Sequence, residues 1–506
     1  MKVAGLKESK VVLNVNEGTF RGLSKQNLLF HQCIWELTDN AIAARKQDEL
    51  FRVDICMEKR EDGKVDLYVA DKGKGMTLEV FKKAIQLGES ATKEDRLNEH
   101  GFGLKNALAT LSGGNGAFQI WTCSSEEKIV HTVKGPFRQE MVIVSGEEFP
   151  DLDFLSDGYN TIIKVTVPIS FIQTVQGRGA RATDLGTLRA WLIEHLGVIY
   201  RGYFDIEDET GEPSGHIYVS IGEDRKRVPA VRIPMANSTT ERFSVELGGK
   251  EYTLEYIYGT LDSERVKKLV AGSKAKYYYQ KNQSTQGIDI RLGKRVIATR
   301  QLENIWRKGN GKDGEPISRH NRYNEFVGEL LIPDLPRGVL TTINNKTDFN
   351  LDDEDWEKIF DKLNEYKPIA DINRTTEKAL VKDWIKMIKA TNPKDKVTDE
   401  HHVWPTGTRI DVYRETSNGE VYIYEMKVGS GSPIDLYQLK MYWDGLLLSG
   451  KQPTEGILLV ETYSSTLEEM ANLMMEKLTP PSLIGENKPS DPYNFKIETH
   501  KDKGLR

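Results

Sequence analysis

Apolar positions in the first 190 residues follow two different periods. Within residues 26–45, apolar side chains recur every three or four positions, which predicts an amphipathic helix. Further along, Val65, Leu67 and Val69 alternate with polar or small residues, which predicts a half-buried strand. This part of the chain therefore mixes long helices with alternating strands.

The pattern changes twice along the rest of the chain. From about 191 to 365 strand patterns dominate, for example in 215–221, 252–259 and 287–299. Beyond residue 366 a helical pattern is followed by two strongly apolar strands and another helix. We expect a multidomain α+β protein with three domains, at 1–190, 191–366 and 367–506.

Composition agrees with a multidomain globular chain. Its 506 residues are too many for one core and suit roughly three domains of about 150 residues. The chain has neither an apolar run near the ~20 residues that span a bilayer nor a signal-peptide pattern, so we expect a cytoplasmic protein. The three cysteines form no close pair, which indicates neither a disulfide framework nor a zinc site. A net charge of −6 disfavours general coating of DNA, so any nucleic-acid contact requires local patches.

Polar residues on the predicted helix 26–45 form the first candidate site. Glu36, Asp39 and Asn40 fall on the side of the helix away from its apolar residues. An acid and an amide four residues apart project together, so Glu36 can orient and deprotonate a water molecule. Asn40 can offer an amide oxygen to magnesium.

Two glycine-containing segments extend this site. Asp71 continues the inward phase of its strand just before Gly73 and Gly75 break it. A carboxylate there can accept a hydrogen bond from an exocyclic amine such as that of adenine, and glycines let the backbone approach the base. In the second segment, 101–105, two glycines precede a helix with Lys105 in its first turn, an arrangement that can hold a polyphosphate.

Taken singly, each segment also fits a plainer explanation: a solvated helix face, an ordinary turn, or a common glycine pair before a helix. Their order and spacing favour a nucleotide site. Together they resemble the N-box and the two glycine boxes of the Bergerat-fold (GHKL) ATPases, with the Gly-x-Gly-Leu-Lys form of the MORC-like branch.

The resemblance implies an α/β sandwich that binds ATP and Mg²⁺. Glu36 would be the general base, Asn40 the magnesium ligand and Lys105 a phosphate contact. Thr161 corresponds to the threonine that supports the adenine-binding aspartate. The implied nucleotide contacts are Asn40, Asp71, Gly73, Gly75, Met76, Gly101, Phe102, Gly103, Leu104, Lys105 and Thr161. One departure is Asn98, where MORC-like sequences usually have glycine, and it leaves the course of the lid open.

Residues 342–349 resemble the transducer loop of the same ATPases. In that family a lysine of this loop reaches the γ-phosphate, so Lys346 is the candidate for stabilising charge on the transferred phosphoryl group. The alternative is an ordinary surface lysine. The resemblance implies a transducer domain of βαβ type and homodimer formation on ATP binding.

Basic and aromatic residues cluster in the middle region, at 225–227 and 267–281. Such groups can neutralise phosphates and stack on bases. Most charge runs are solvated faces, so nucleic-acid contact here is one of two open alternatives.

A second candidate site begins on a strongly apolar strand. Glu425 and Lys427 extend the row of Val421 and Ile423 on one face of that strand, and burying both charges is costly unless they are paired or bind a metal. Asp411 lies on the preceding strand.

The register between these two strands depends on the loop that joins them. A two-residue Asn-Gly turn would place Asp411 opposite Met426, on the wrong face. A three-residue loop at 417–419, with Gly419 in the left-handed conformation, would place Asp411 opposite Glu425. We expect the three-residue loop, or a bulge with the same effect.

The pattern resembles the PD-(D/E)xK nucleases, which implies a restriction-endonuclease-like domain. Asp411 and Glu425 would bind magnesium, and Lys427 would position or activate the attacking water. A glutamate on the first helix joins the metal site in that family, so Glu377 is a third candidate ligand, although a first-turn acid favoured by the helix dipole explains it equally well. The next helix is predicted to start at Ser432-Pro433. Along it, Gln438 and Tyr442 match the Gln-x-x-x-Tyr signature of RecB-like members.

Three functions follow as hypotheses. The leading one is an ATP-hydrolysing, Mg²⁺-dependent nuclease acting on DNA, whose architecture resembles prokaryotic antiviral defence proteins. The others are a non-cutting ATP-dependent DNA clamp or remodeller, and a chaperone-like ATPase acting on proteins. DNA versus RNA, the strandedness of the substrate and any operon-encoded partner proteins stay open.

Overall fold

The computed structural model describes residues 17–25, 27–47, 49–86, 101–155, 158–177, 179, 182–204, 213–270, 278–308, 316–340, 353–369, 377–403, 409–484 and 489–505. Contacts divide the chain into two compact units, Met1–Asp371 and Ile372–Arg506. This division lies close to the predicted boundary between 366 and 367.

The helices of the described residues are α1 Glu17–Leu23, α2 Phe30–Ala43, α3 Leu78–Ile85, α4 Gly103–Leu111, α5 Ile169–Ile172, α6 Leu185–Ile199, α7 Arg201–Phe204, α8 Ser263–Val270, α9 Glu354–Leu363, α10 Glu377–Thr391, α11 Pro433–Leu448 and α12 Ser465–Lys477. The strands are β1 Phe51–Lys59, β2 Val65–Asp71, β3 Phe118–Cys123, β4 Val130–Lys134, β5 Ile143–Ser145, β6 Thr161–Val167, β7 Gly215–Ile221, β8 Asp224–Arg227, β9 Met235–Leu247, β10 Lys250–Leu261, β11 Gly287–Leu292, β12 Arg295–Gln301, β13 Phe326–Ile332, β14 Lys396–His402, β15 Arg409–Glu415, β16 Val421–Met426, β17 Glu455–Val460 and β18 Phe495–Thr499.

The first sheet of the first unit carries the predicted nucleotide motifs. Within the described residues it has eight strands in the order β5-β4-β3-β6-β2-β1-β7-β8, and β1 and β7 are its parallel pair. Helices α2 and α4 contact each other and pack their apolar side chains against one face. The opposite face holds a smaller apolar cluster that includes Tyr68, Trp121 and Tyr159.

The predicted boundary at residue 190 differs from this sheet pairing. Residue 190 lies inside α6, and β7 and β8 extend the first sheet instead of joining the second one. Alternation of apolar and polar residues identifies a strand but carries no information about which sheet the strand enters. The first sheet, with the helices packed on it, therefore extends along the chain to Arg227, the last residue of β8.

Among the described residues, the second sheet has five strands in the order β12-β11-β13-β10-β9, with β11 and β13 parallel. Helix α9 packs against it through Trp356 and Phe360. The segment 287–299, predicted as one strand, is a hairpin of β11 and β12. Its turn contains Gly293 at φ 56°, a left-handed conformation that favours glycine.

The second unit contains a third sheet, of five strands within the described residues, in the order β14-β15-β16-β17-β18. β14, β15 and β16 are antiparallel neighbours, whereas β16, β17 and β18 are parallel. Helix α10 packs on one face of this sheet, and α11 and α12 cover the other. The strongly apolar strands β16 and β17 are therefore central and covered on both faces, as their sequences indicate.

Candidate functional sites

Glu36 lies in the middle of α2, and its side chain is buried against the start of α4. The helix is one turn shorter at its N-terminus than the predicted 26–45. Glu36 is 3% exposed, and a Cβ atom added at Gly103 would overlap its Oε2 atom. A side chain at position 103 would force the Glu36 carboxylate to move, so the predicted helix motif and the second glycine segment meet here.

Asn40, one turn further along α2, is half-buried. Its Nδ2 atom is buried and has no hydrogen-bond partner within the part of the chain that the structure describes. Asp39 differs from the expectation that it faces the same cleft. Its Oδ1 atom instead accepts hydrogen bonds from Arg295 Nε and the Tyr200 hydroxyl, each at 2.8 Å.

Asp71 ends β2 with its side chain on the same face as Val65, Leu67 and Val69, as predicted from the strand phase. The Gly73 N–H donates a hydrogen bond of 2.8 Å to Asp71 Oδ1. Burial raises the pKa of this carboxyl to about 7, and the hydrogen bond from Gly73 only partly opposes that shift. A buried carboxyl with so little compensation is suited to a ligand that donates a hydrogen bond.

The glycines after Asp71 allow close backbone contacts. A Cβ atom at Gly73 would lie 2.5 Å from the Ala44 carbonyl oxygen. Gly75 has φ 66°, and a Cβ atom there would overlap the Cys123 carbonyl. Both positions therefore require glycine.

Thr122 and Asn160 complete the surroundings of Asp71, and neither was singled out from the sequence. Thr161 pairs with Asp71 across β6 and β2, and its hydroxyl lies 3.2 Å from the Thr122 hydroxyl. Thr122 Oγ1 also accepts the Met76 N–H at 2.9 Å. Asn160 Nδ2 donates to the Gly73 carbonyl at 2.6 Å. In the sequence, the two residues are marked only by their positions near the end of one predicted strand and the start of another.

The second glycine segment leads into α4 as predicted. Gly101 has φ 66°, Phe102 is the residue before the helix, and Leu104 packs partly against the first core. Lys105 is 2% exposed, and its Nζ donates to the Gly101 carbonyl at 2.8 Å. The ammonium expected at a phosphate thus lies within the glycine segment. Asn98 and Lys346 lie outside the described residues.

The second site is formed where β15 begins and its antiparallel neighbour β16 ends. Val412 pairs with Tyr424, so the next position in register places Asp411 opposite Glu425. Thr416 and Glu420 close the loop with a backbone hydrogen bond of 2.9 Å, and Gly419 between them has φ 89°. The prediction of a three-residue loop with a left-handed Gly419 is confirmed.

Three charged side chains meet at this strand end. Glu425 is fully buried, and Lys427 Nζ lies 2.5 Å from its Oε1 atom. Asp411 Oδ2 accepts the Met426 N–H at 2.8 Å. Burial and the neighbouring Asp411 raise the pKa of Glu425 to about 8, although Lys427 opposes that shift. The pKa of Asp411 is also raised, chiefly by burial.

Gln438 and Tyr442 approach the same carboxylates from α11. The helix begins at Pro433 after Ser432, as predicted, and Asp435 accepts the Ser432 N–H at 2.8 Å. Gln438 Nε2 donates to the Tyr442 hydroxyl at 2.7 Å. Burial, followed by the charge of Glu425, raises the pKa of Tyr442, which keeps its hydroxyl protonated.

Glu377, the third candidate ligand, lies beside Lys427 at the edge of this site. Its Oε1 atom lies 3.5 Å from Lys427 Nζ, so the lysine contacts both Glu377 and Glu425. No group of three or more His, Cys, Asp or Glu side chains in the described ranges is arranged to hold a metal ion. The paired carboxylates Asp411 and Glu425 nevertheless suit a divalent cation, because burial and their mutual proximity disfavour their charged forms and a cation would offset that cost.

Within the described part of the basic and aromatic cluster of the middle region, two tyrosines and one arginine have structural contacts, whereas residues 271–277 lie outside the described residues. Tyr278 and Tyr279 are buried, and their hydroxyls bond His195 Nδ1 at 2.8 Å and Asp289 Oδ2 at 2.6 Å. Arg225 pairs with Asp54 and lies over the Tyr218 ring. These tyrosines are therefore not available to stack on bases.

Sequence comparison identifies the kind of domain in which the first site lies. Residues 28–136 match the family described as histidine kinase-, DNA gyrase B-, and HSP90-like ATPase. The N-terminal part of this chain carries a GHKL ATPase domain. The match includes Glu36, Asn40, Asp71 and the segment 101–105.

Among solved structures, this chain is similar to the ATPase domain of Aquifex aeolicus MutL complexed with ADP, at 13% identity and a TM-score of 0.29, covering 59% of this chain and 90% of that chain. It is also similar to the B-subunit of the DNA gyrase from Myxococcus xanthus, at 10% identity and a TM-score of 0.35, covering 66% and 88%. No curated protein sequence matches the chain. None of the helices in the described ranges combines the length and the apolar character of a membrane-spanning segment.

Proposed function

We propose that this chain is an ATP-hydrolysing, Mg²⁺-dependent nuclease that acts on DNA. A MORC-like ATPase would close a homodimer on binding ATP, and closure would regulate cleavage by a RecB-like PD-(D/E)xK domain. The observation that carries the nuclease assignment is the meeting of Asp411, Glu425 and Lys427 at one strand end, with Tyr442 beside them. The architecture suggests a role in prokaryotic antiviral defence.

At the ATPase site, burial and contact support the proposed roles. Glu36 is held against Gly103 and would orient and deprotonate the attacking water. Asn40 and the glycine segment 101–105 would hold the phosphates and Mg²⁺, and Asp71 would accept the adenine amine. Bound Mg²⁺ neutralises charge on the phosphates. Lys346 is proposed as the γ-phosphate contact.

At the second site, Asp411 and Glu425 would hold Mg²⁺ between the start of β15 and the end of β16. Bound Mg²⁺ polarises the scissile phosphate and lowers the pKa of the attacking water. Lys427, already 2.5 Å from Glu425, would position that water, and Gln438 would fix the Tyr442 hydroxyl. Glu377 would either hold Lys427 in place through their ion pair or bind Mg²⁺ when the metal is present.

The test is incubation of the full chain with plasmid DNA, MgCl₂ and ATP, with ATP hydrolysis and DNA cleavage measured in the same samples. Glu36→Ala should abolish hydrolysis, and Glu425→Ala and Lys427→Ala should abolish cleavage while sparing hydrolysis. Matched controls are Glu79→Ala and Glu420→Ala, which remove exposed carboxylates. Cleavage that is unaltered in Glu425→Ala would exclude the second site as a nuclease.

One observation favours a second function, a non-cutting DNA clamp or remodeller. The described residues supply two paired carboxylates near Lys427 and no set of three metal-binding side chains. In a clamp, wild-type protein would bind DNA in an ATP-dependent way and leave the plasmid intact at any MgCl₂ concentration. A binding assay with the same plasmid separates the two functions.

A further inference from the structure

The hairpin of β11 and β12 joins the second sheet to the core of the first. Val296, at the start of β12, is fully buried among the apolar side chains of the first core, whereas Ile297 and Ala298 belong to the second core. Lys294 Nζ donates to Ser214 Oγ at 2.7 Å. A Cβ atom added at Gly202 would lie only 2.6 Å from the Lys294 carbonyl oxygen, so the hairpin turn closely approaches the backbone of α7. The turn of this hairpin therefore packs against the core of the first sheet, which carries the ATPase motifs.

Arg295, next to Val296, extends this contact to α2. Its guanidinium is buried, and its Nε atom donates to Asp39 Oδ1 at 2.8 Å. The Tyr200 hydroxyl donates to the same oxygen at 2.8 Å. Burial alone would lower the pKa of Arg295, but Asp39, Tyr200 and Glu36 together raise it above its usual value, so the guanidinium stays charged. Asp39 and Arg295 thus form a buried ion pair between residues that are far apart in sequence.

Asp39 lies on α2 between Glu36 and Asn40. We propose that Asp39 is a positioning residue that, through Arg295 and Tyr200, fixes the rotation of α2 and thereby the placement of Glu36 and Asn40. Separating a buried ion pair leaves an uncompensated charge, so α2 cannot turn or slide without moving β12 with it. This inference rests on the proposed ATPase function, and makes hydrolysis depend on the position of the second sheet.

The test compares Asp39→Asn with wild type in the full chain. Asparagine keeps the size of the side chain and removes its charge. We expect kcat for ATP hydrolysis to fall between about 10- and 100-fold, because small displacements of catalytic groups have effects of that size. The dissociation constant for ADP, measured by calorimetry, should change less than about threefold, because a loss confined to kcat removes stabilisation of the transition state. Tyr200→Phe, which removes one hydroxyl, should give a smaller loss of kcat with the same ADP affinity.

Asp289→Asn is the matched control. Asp289 is equally buried and accepts hydrogen bonds from Arg201 Nη1 at 2.9 Å and the Tyr279 hydroxyl at 2.6 Å. This pair also joins the first sheet and its helices to the second sheet, but from α7 and β11. We expect Asp289→Asn to lower the melting temperature as much as Asp39→Asn does, with kcat within about threefold of wild type, because the hydrogen-bond partners of Asp289 (Arg201, Tyr279 and Arg300) all lie outside α2.

Two results would overturn the inference while leaving the ATPase in place. One is an unchanged kcat in both Asp39→Asn and Tyr200→Phe. The other is a fall in kcat that tracks the loss in melting temperature equally in the Asp39 and Asp289 variants, since that would make the role of Asp39 purely structural. A wild-type chain that neither binds ADP nor hydrolyses ATP would instead overturn the proposed function, and the inference with it.

Discussion

The Glu36 carboxylate occupies the space next to Gly103 that any side chain at position 103 would fill. An acid on one helix and a glycine at the start of another are thus matched in shape. Residues 36 and 103 are 67 positions apart in the sequence, and this contact brings their two motifs into one site.

Gly103→Ala should displace the Glu36 carboxylate and slow ATP hydrolysis by about 10- to 100-fold, because the added Cβ atom would overlap Glu36 Oε2. A steady-state assay of phosphate release measures this. Gly22→Ala is the control, since a Cβ atom at that exposed helical position meets nothing within 4 Å. Equal rates in Gly103→Ala and wild type would show that hydrolysis does not depend on the contact between Glu36 and position 103.

Nucleotide affinity should depend on pH through Asp71. The pKa of this carboxyl is raised from 3.8 to about 7, so the folded chain without nucleotide binds this proton more tightly than the unfolded chain does. A carboxylate accepts the adenine amine, so ADP affinity should fall as the pH drops from 8 to 6. Calorimetry at several pH values tests this.

Asp71→Asn separates stability from binding. The raised pKa means that ionised Asp71 destabilises the fold, and that the destabilisation grows as the pH rises from about 4 to about 7. The asparagine variant should therefore melt higher than wild type at pH 8, yet bind ADP weakly and without the pH dependence of wild type. A variant that binds ADP as well as wild type would contradict the role of Asp71.

Metal binding at the second site should strengthen as the pH rises through the range near 8. The pKa of Glu425 is raised to about 8, and the cation competes with the proton held there. Titration of the full chain with MnCl₂ by calorimetry should show tighter binding at pH 9 than at pH 7. Glu425→Gln should lose that binding, whereas Glu420→Gln, on the exposed loop, should retain it.

Gly419→Ala should destabilise the second unit by about 1 kcal/mol, because φ 89° is unfavourable for a residue with a Cβ atom. Gly419→Asn should cost less, since asparagine tolerates positive φ better. Thermal unfolding of the two full-length variants measures the difference. Equal melting temperatures for both variants and wild type would show that the loop does not need this conformation.

The second site was more predictable from sequence than the first. The pairing of Asp411 opposite Glu425 depends on the length of a short loop and on the alternation of side chains along each strand. Both properties are local and can be predicted from neighbouring residues in the sequence. The environment of Asp39 depends on Arg295, which a different sheet supplies, so helical periodicity alone assigned Asp39 to the cleft side. Likewise, strand alternation could not show that β7 enters the first sheet beside β1.

Val296 has a consequence for how the ATPase domain can be isolated. Every motif matched by the ATPase family lies before residue 137, which suggests that a short N-terminal fragment would suffice. Such a fragment would lack Val296, and the apolar side chains of the first core that surround Val296 would be exposed to water. The smallest fragment that keeps a sealed nucleotide domain must therefore extend through β12 and the sheet that supports it.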